Sequence, residues 1–161
     1  PINRIFISFI QNHFNHIILF GSLNPHTTKN MLMVIKNFQR KYNKNIKITF
    51  KNHPASIPLE IKEFNKNKKN FEKILNKENT LAIVDADSSI SLNFILNKIP
   101  FIIYKDKDSL NTSFLRNNKN YYFFKDDCDL EFFLKNKKKL FEQKINTFFS
   151  KKSVNWYKFI N

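Results

Sequence analysis

Four short stretches of this sequence carry side chains that could do chemistry: Gly21-Ser22, His53-Pro54, Asp85 with Asp87, and Ser88-Ser89. Two adjacent serines can donate two hydroxyl hydrogen bonds to a phosphate. Where such a pair opens a helix, free backbone N–H groups and the helix dipole add to the attraction. The plainer reading of Asp87, Ser88 or Ser89 is a helix N-cap. His53 is held extended by Pro54 after it. Its imidazole could therefore donate to a phosphate oxygen from a defined direction and stabilise charge on a departing nucleotide. The plainer reading there is an ordinary loop histidine. Gly21 is the only glycine of the chain, suited to a tight turn or to close approach of backbone and ligand. It forms neither a GxGxxG fingerprint nor a Walker A loop. Asp85 and Asp87 work against an anion, since they would repel a phosphate unless they face away, cap the helix or meet a sugar hydroxyl.

These residues need elements to position them. Ile17 to Phe20 is a short apolar run ended by Gly21 to Pro25, which reads as a buried strand and a turn. Thr27 or Thr28 is then expected to cap a helix with Met31, Leu32, Val34, Ile35 and Phe38 at helical spacing, fading near Tyr42-Asn43. Ile46 to Phe50 reads as a second strand by its β-branched content, and runs directly into His53-Pro54. A loop with Pro58 and a polar stretch from Asn65 to Asn70 leads to a short helix around Phe71 to Leu75. The third strand, Leu81 to Val84, stops at Asp85. A helix with Ile90, Leu92, Phe94, Ile95 and Leu96 follows, to about Asn97-Lys98. Pro100 opens a fourth strand, Phe101 to Tyr104, and Tyr121 to Phe124 reads as a fifth. Asp129 or a neighbour caps a closing helix from Leu130 to about Phe149, and an amphipathic tail carries Val154, Trp156, Tyr157, Phe159 and Ile160.

Strands alternating with helices imply βαβ units and a mainly parallel sheet. Continuous apolar strands imply that helices cover both faces. The expected fold is therefore α/β, a Rossmann-like three-layer α/β/α sandwich with five or six strands. In such sheets ligands lie beyond the carboxyl ends of the strands. The segments after the first, second and third strands are the ones singled out above. Their convergence says more than any one motif.

Other chemistries fit less well. His13, His16 and His26 lack the HExxH spacing of a zinc protease, and there is no G-x-S-x-G elbow. The single cysteine, Cys128, precludes an internal disulfide or a cysteine-built zinc site. No apolar run approaches the roughly 20 residues of a membrane span. With 161 residues the chain is long enough for one domain with a real core. The net charge of +15 would suit nucleic acid or an anionic surface. The basic residues are dispersed, however, and Lys, Asn, Ile and Phe are enriched together as an AT-rich coding sequence would produce. Nucleic acid is thus not the expected partner, although a positive field would help to capture a nucleotide sugar.

With these segments placed, the chain resembles the C-terminal domain of GT-B-fold glycosyltransferases. It is most similar to bacterial surface-carbohydrate and sialyltransferase-like enzymes that use CMP-activated sugars. The resemblance runs from about Ile17 to Leu134, on KNHPAS (51–56), VDADSSISLNFILNKIPFIIY (84–104) and the stretch from NTSFL (111–115) to YYFF (121–124). It implies that His53 contacts the phosphate and assists the leaving group, that Pro54 shapes the nucleotide pocket, and that Ser88 and Ser89 hold the phosphate. Gly21 and Ser22 are expected beside them, with Asp87 in support. It also implies metal-independent, inverting transfer without a cofactor, the CMP-sugar being the donor substrate. The glycan or glycolipid acceptor and the catalytic base would belong to an N-terminal domain absent from this chain, which opens on Pro1 and is read as a piece of a longer protein. Residues 1–16 would end the interdomain connection, 17–150 form the donor-binding domain, and 151–161 form the tail. A cytoplasmic location is expected, and the basic, aromatic surface permits peripheral contact with the inner face of the membrane. The alternatives are another sugar-nucleotide enzyme, such as a CDP-alditol phosphotransferase or an epimerase, or a non-enzymatic basic α/β binding module.

Overall fold

The structure is a computed structural model that describes residues 14–42, 45–59, 75, 79–97, 99–118 and 121–135. Five strands form one all-parallel sheet: β1 (His16–Phe20), β2 (Lys47–Lys51), β3 (Thr80–Asp85), β4 (Phe101–Tyr104) and β5 (Phe123–Phe124). Among the described residues three full helices accompany them: α1 (Pro25–Lys41), α2 (Ile90–Leu96) and α3 (Asp127–Lys135). The strand order is β2-β1-β3-β4-β5, one of the doubly wound orders. The expected α/β Rossmann-like fold is therefore the observed one.

Successive residues of a strand point to opposite faces, and here both faces are apolar. Ile17, Leu19, Leu81, Ile83, Ile102 and Tyr104 form one core with Met31, Leu32, Ile35 and Phe38 of α1 and Leu130 and Leu134 of α3. Ile18, Phe20, Ala82, Val84, Phe101 and Ile103 form the other with Phe94 and Ile95 of α2, and with Leu75, Leu115 and Tyr121. Phe94 sits between Phe20 and Phe101, with ring centroids 5.2 and 5.8 Å away. Because β2 and β3 flank β1 on opposite sides, the helices after β1 and β3 cover opposite faces, as a common crossover hand requires. Their connecting turns diverge there, and the crevice opens between β1 and β3.

Element boundaries differ from expectation where a local group outcompetes the assumed cap. α1 begins at Pro25, whose missing N–H costs nothing in a first helical turn. Its cap is Asn24, whose side chain accepts from the His26 amide at 2.9 Å. Thr27 and Thr28 are therefore buried inside the helix rather than capping it. β5 pairs only through Phe123 and Phe124, because the Tyr121 amide already donates to the Asn118 carbonyl in a turn. α3 starts three residues earlier than expected, with the Asp126 side chain accepting from the Asp129 amide at 3.0 Å. The expected helix at 71–75 apart from Leu75, the continuation of α3 to Phe149 and the tail all lie outside the described residues. Among the described residues, no helix is long and apolar enough to cross a membrane.

Leu19 is fully buried at the centre of the sheet, in register with Phe50 on one side and Ile83 on the other. Leu19→Ala is expected to cost about 2–5 kcal/mol of unfolding free energy. Met33→Ala, on the exposed side of α1, should change it by less than about 0.5 kcal/mol. Urea denaturation of both variants checks this, and equal costs would contradict the assigned core.

Candidate functional site

Three turns leave the carboxyl ends of β1, β2 and β3 and meet at the crevice. The turn after β1 is built on Ser22, which is 5% exposed. Its amide donates to the Thr28 hydroxyl at 2.9 Å, and its own hydroxyl accepts from the Asn24 amide at 3.1 Å. Gly21 precedes it. A Cβ at Gly21 would stand 3.3 Å from the His53 amide nitrogen and from the Phe50 ring. Glycine thus leaves room for the close approach of the end of β2.

The turn after β2 orients His53. The Ser56 amide donates to the His53 carbonyl at 3.1 Å, closing a turn with Pro54 at its second position, where a fixed φ is favoured. The Ala55 amide donates to His53 Nδ1 at 3.2 Å. An Nδ1 that accepts a hydrogen bond leaves the N–H of the neutral imidazole on Nε2. His53 therefore offers an N–H donor, and its half-buried ring lines the cleft. Pro54 is exposed and lies behind this turn, so its contribution is to hold the histidine.

The turn after β3 contains Asp85, Asp87, Ser88 and Ser89. The side chain of Ser89, the residue before α2, makes no capping hydrogen bond. Among the described residues the hydroxyls of Ser88 and Ser89 have no partner, so the plain N-cap reading does not describe them. The amides of Ser88, Ser91 and Leu92 already donate to the carbonyls of Asp85, Ser88 and Ser89. With α2 only seven residues long, anion binding here rests on the hydroxyls more than on the helix terminus.

Together these residues enclose a cleft of about 340 Å³. Ser22, His53, Ser88 and Ser89 line it, with Asp85, Asp87, Asn24 and Leu23. The structure thus brings Ser22, His53, Asp87, Ser88 and Ser89 together, while Gly21 and Pro54 support the walls. Sequence reasoning did not single out Asn24. Its position before a proline-led helix was the available signal.

Asp85 is the most constrained group. It is 7% exposed, and it accepts from the Ala86 amide at 2.8 Å, from the Ser22 hydroxyl and from the Asp87 amide. Burial pushes its carboxyl above the usual range against these hydrogen bonds, and the neighbouring charge of Asp87 adds to the rise. Acidic side chains gather around Tyr104 at this edge. Burial first, then the charges of Asp106, Asp85 and Asp108, push the Tyr104 hydroxyl up to about 12. Among the described residues, no Lys or Arg lines the cleft. The described residues contain eleven Lys or Arg and eight Asp or Glu, a net of +3, whereas the whole chain has 28 and 13. Among the described residues, no group of three or more His, Cys, Asp or Glu side chains could hold a metal ion.

Comparison of the chain with protein-family models, curated proteins and solved structures finds no match.

The raised pKa of Asp85 has a consequence for stability. The folded carboxyl keeps its proton to a higher pH than the unfolded one, so stability falls as pH rises from the ordinary carboxyl range through the raised value. Asp85→Asn keeps an acceptor and removes the charge. The variant is expected to melt higher than the wild type at pH 7, with the gain disappearing below the ordinary carboxyl range. Thermal melts across pH check this, and a variant equally destabilised at every pH would contradict it.

Proposed function

We propose that this chain is the donor-binding half of a glycosyltransferase of bacterial surface polysaccharide or lipopolysaccharide biosynthesis, taking a CMP-activated sugar. The observation that carries the reading is that Ser22, His53, Ser88 and Ser89 converge on one cleft at the β1/β3 crevice, where doubly wound sheets bind their ligands. Two of these serines, Ser88 and Ser89, have hydroxyls with no partner among the described residues. The resemblance of the His-Pro and Ser-Ser motifs supplies the chemistry.

Charge supports the same choice of donor. A cleft lined by two carboxylates and, among the described residues, by no cation tolerates the single negative charge of a nucleoside monophosphate ester better than a diphosphate. In the reaction, an acceptor hydroxyl attacks the anomeric carbon on the side away from the nucleotide. The bond from that carbon to the phosphate oxygen breaks, and its electron pair leaves with CMP. His53 donates from Nε2 to the phosphate, offsetting the charge that develops there, while Ser88 and Ser89 hold the other oxygens. The base that takes the acceptor's proton belongs to a second domain. The chain's location is the cytoplasm or the inner face of the membrane, where nucleotide sugars are used.

Calorimetry with CMP tests this, using His53→Ala and the Ser88→Ala/Ser89→Ala double variant, with UMP and a short RNA as controls. The wild type should bind CMP saturably, and each variant should lose at least about tenfold in affinity, the scale of one charge-assisted hydrogen bond. Folded protein that ignores CMP yet binds RNA in a salt-sensitive way would overturn the reading.

A further inference from the structure

The cleft poses an electrostatic difficulty, because two carboxylates border the place offered to an anion. The charge of Asp85 is answered by the Ser22 hydroxyl and two backbone amides. Asp87 is exposed and has no such support; its Oδ1 instead accepts from the Thr112 hydroxyl, 25 residues away in the connection between β4 and β5. That connection is anchored on both sides of Thr112. Before it, Asp106 is 6% exposed and accepts from Asn30 of α1 at 3.0 Å. After it, Ser113 and Leu115 are buried, and Leu115 joins the second core. The Leu115 amide donates to the Ser113 hydroxyl at 3.3 Å, and the Arg116 amide to the Ser113 carbonyl at 3.1 Å. Thr112 is thus presented to Asp87 by a fixed backbone.

We infer that Thr112 is a positioning residue of the anion site: it turns the Asp87 carboxylate toward the β4–β5 connection and offsets its charge, so that the adjacent Ser88-Ser89 turn can accept a phosphate. Asp87 itself need not touch the ligand. The inference rests on the donor-binding reading and adds to it a role for Thr112, a residue of the NTSFL stretch to which no function was given.

The test compares CMP with cytidine, which lacks the phosphate, by calorimetry. Thr112→Val should weaken CMP binding about fivefold, the size expected of one charge released a few ångströms away across water, and should leave cytidine binding unchanged. The loss should shrink in high salt. Thr112→Ser should restore CMP affinity. Asp87→Asn should bind CMP at least as well as the wild type, and in that background Thr112→Val should have no effect. A Thr112→Val variant with wild-type CMP affinity, or one that loses CMP and cytidine equally, would overturn the inference while leaving the donor reading standing. A wild-type chain that binds no CMP would overturn the donor reading itself, and this inference with it.

Discussion

The carboxylate of Asp85 ties together two turns that the topology drives apart. β1 and β3 are neighbours, but their helices leave toward opposite faces of the sheet. The backbones after them diverge and open a crevice whose polar groups would otherwise be positioned only by their own chains. Asp85 spans this gap by accepting from Ser22 on one side and from the amides of Ala86 and Asp87 on the other. Ser22 passes the constraint on to the first turn of α1 through Thr28 and Asn24. A buried carboxylate is costly unless it is hydrogen-bonded, and here the residual cost appears as a raised pKa. A group that lowers stability while shaping a cleft is the usual mark of a site that trades stability for function.

The sheet and its helices were legible in the sequence because they depend on local runs. Ile17 to Phe20, Leu81 to Val84 and Phe101 to Tyr104 are apolar without interruption, and only strands buried on both faces read that way. The helix starts were less legible, since several residues near each start could cap it. Asn24 prevailed over Thr27 and Thr28 because Pro25 fits only the first turn of α1. The turns carrying His53 and Ser88-Ser89 could be placed together from strand order alone, since every parallel strand delivers its following turn to the same edge.

What was not legible depends on contacts between distant residues. The bond from Thr112 to Asp87 has no signature in either local stretch. Asp85 and Asp87 look alike in the sequence as obstacles to an anion, yet the first is a buried brace and the second an exposed carboxylate met by a hydroxyl. Charge misleads in the opposite direction. The +15 of the whole chain suggests a strongly basic binding face, but among the described residues the cleft is lined by no Lys or Arg and borders Asp106 and Asp108. The donors that the described residues bring to the cleft are hydroxyls and one imidazole N–H.

The central claim is that a nucleotide occupies the β1/β3 crevice. An amide chemical-shift titration of ¹⁵N-labelled protein with CMP tests it most directly, because it reports where the ligand sits as well as whether it binds. Saturable shifts confined to the turns after the first three strands, around Ser22, His53 to Ala55, and Ser88-Ser89, are the predicted result. Shifts spread over lysine-rich surfaces, or none around the crevice at saturating CMP, would contradict it.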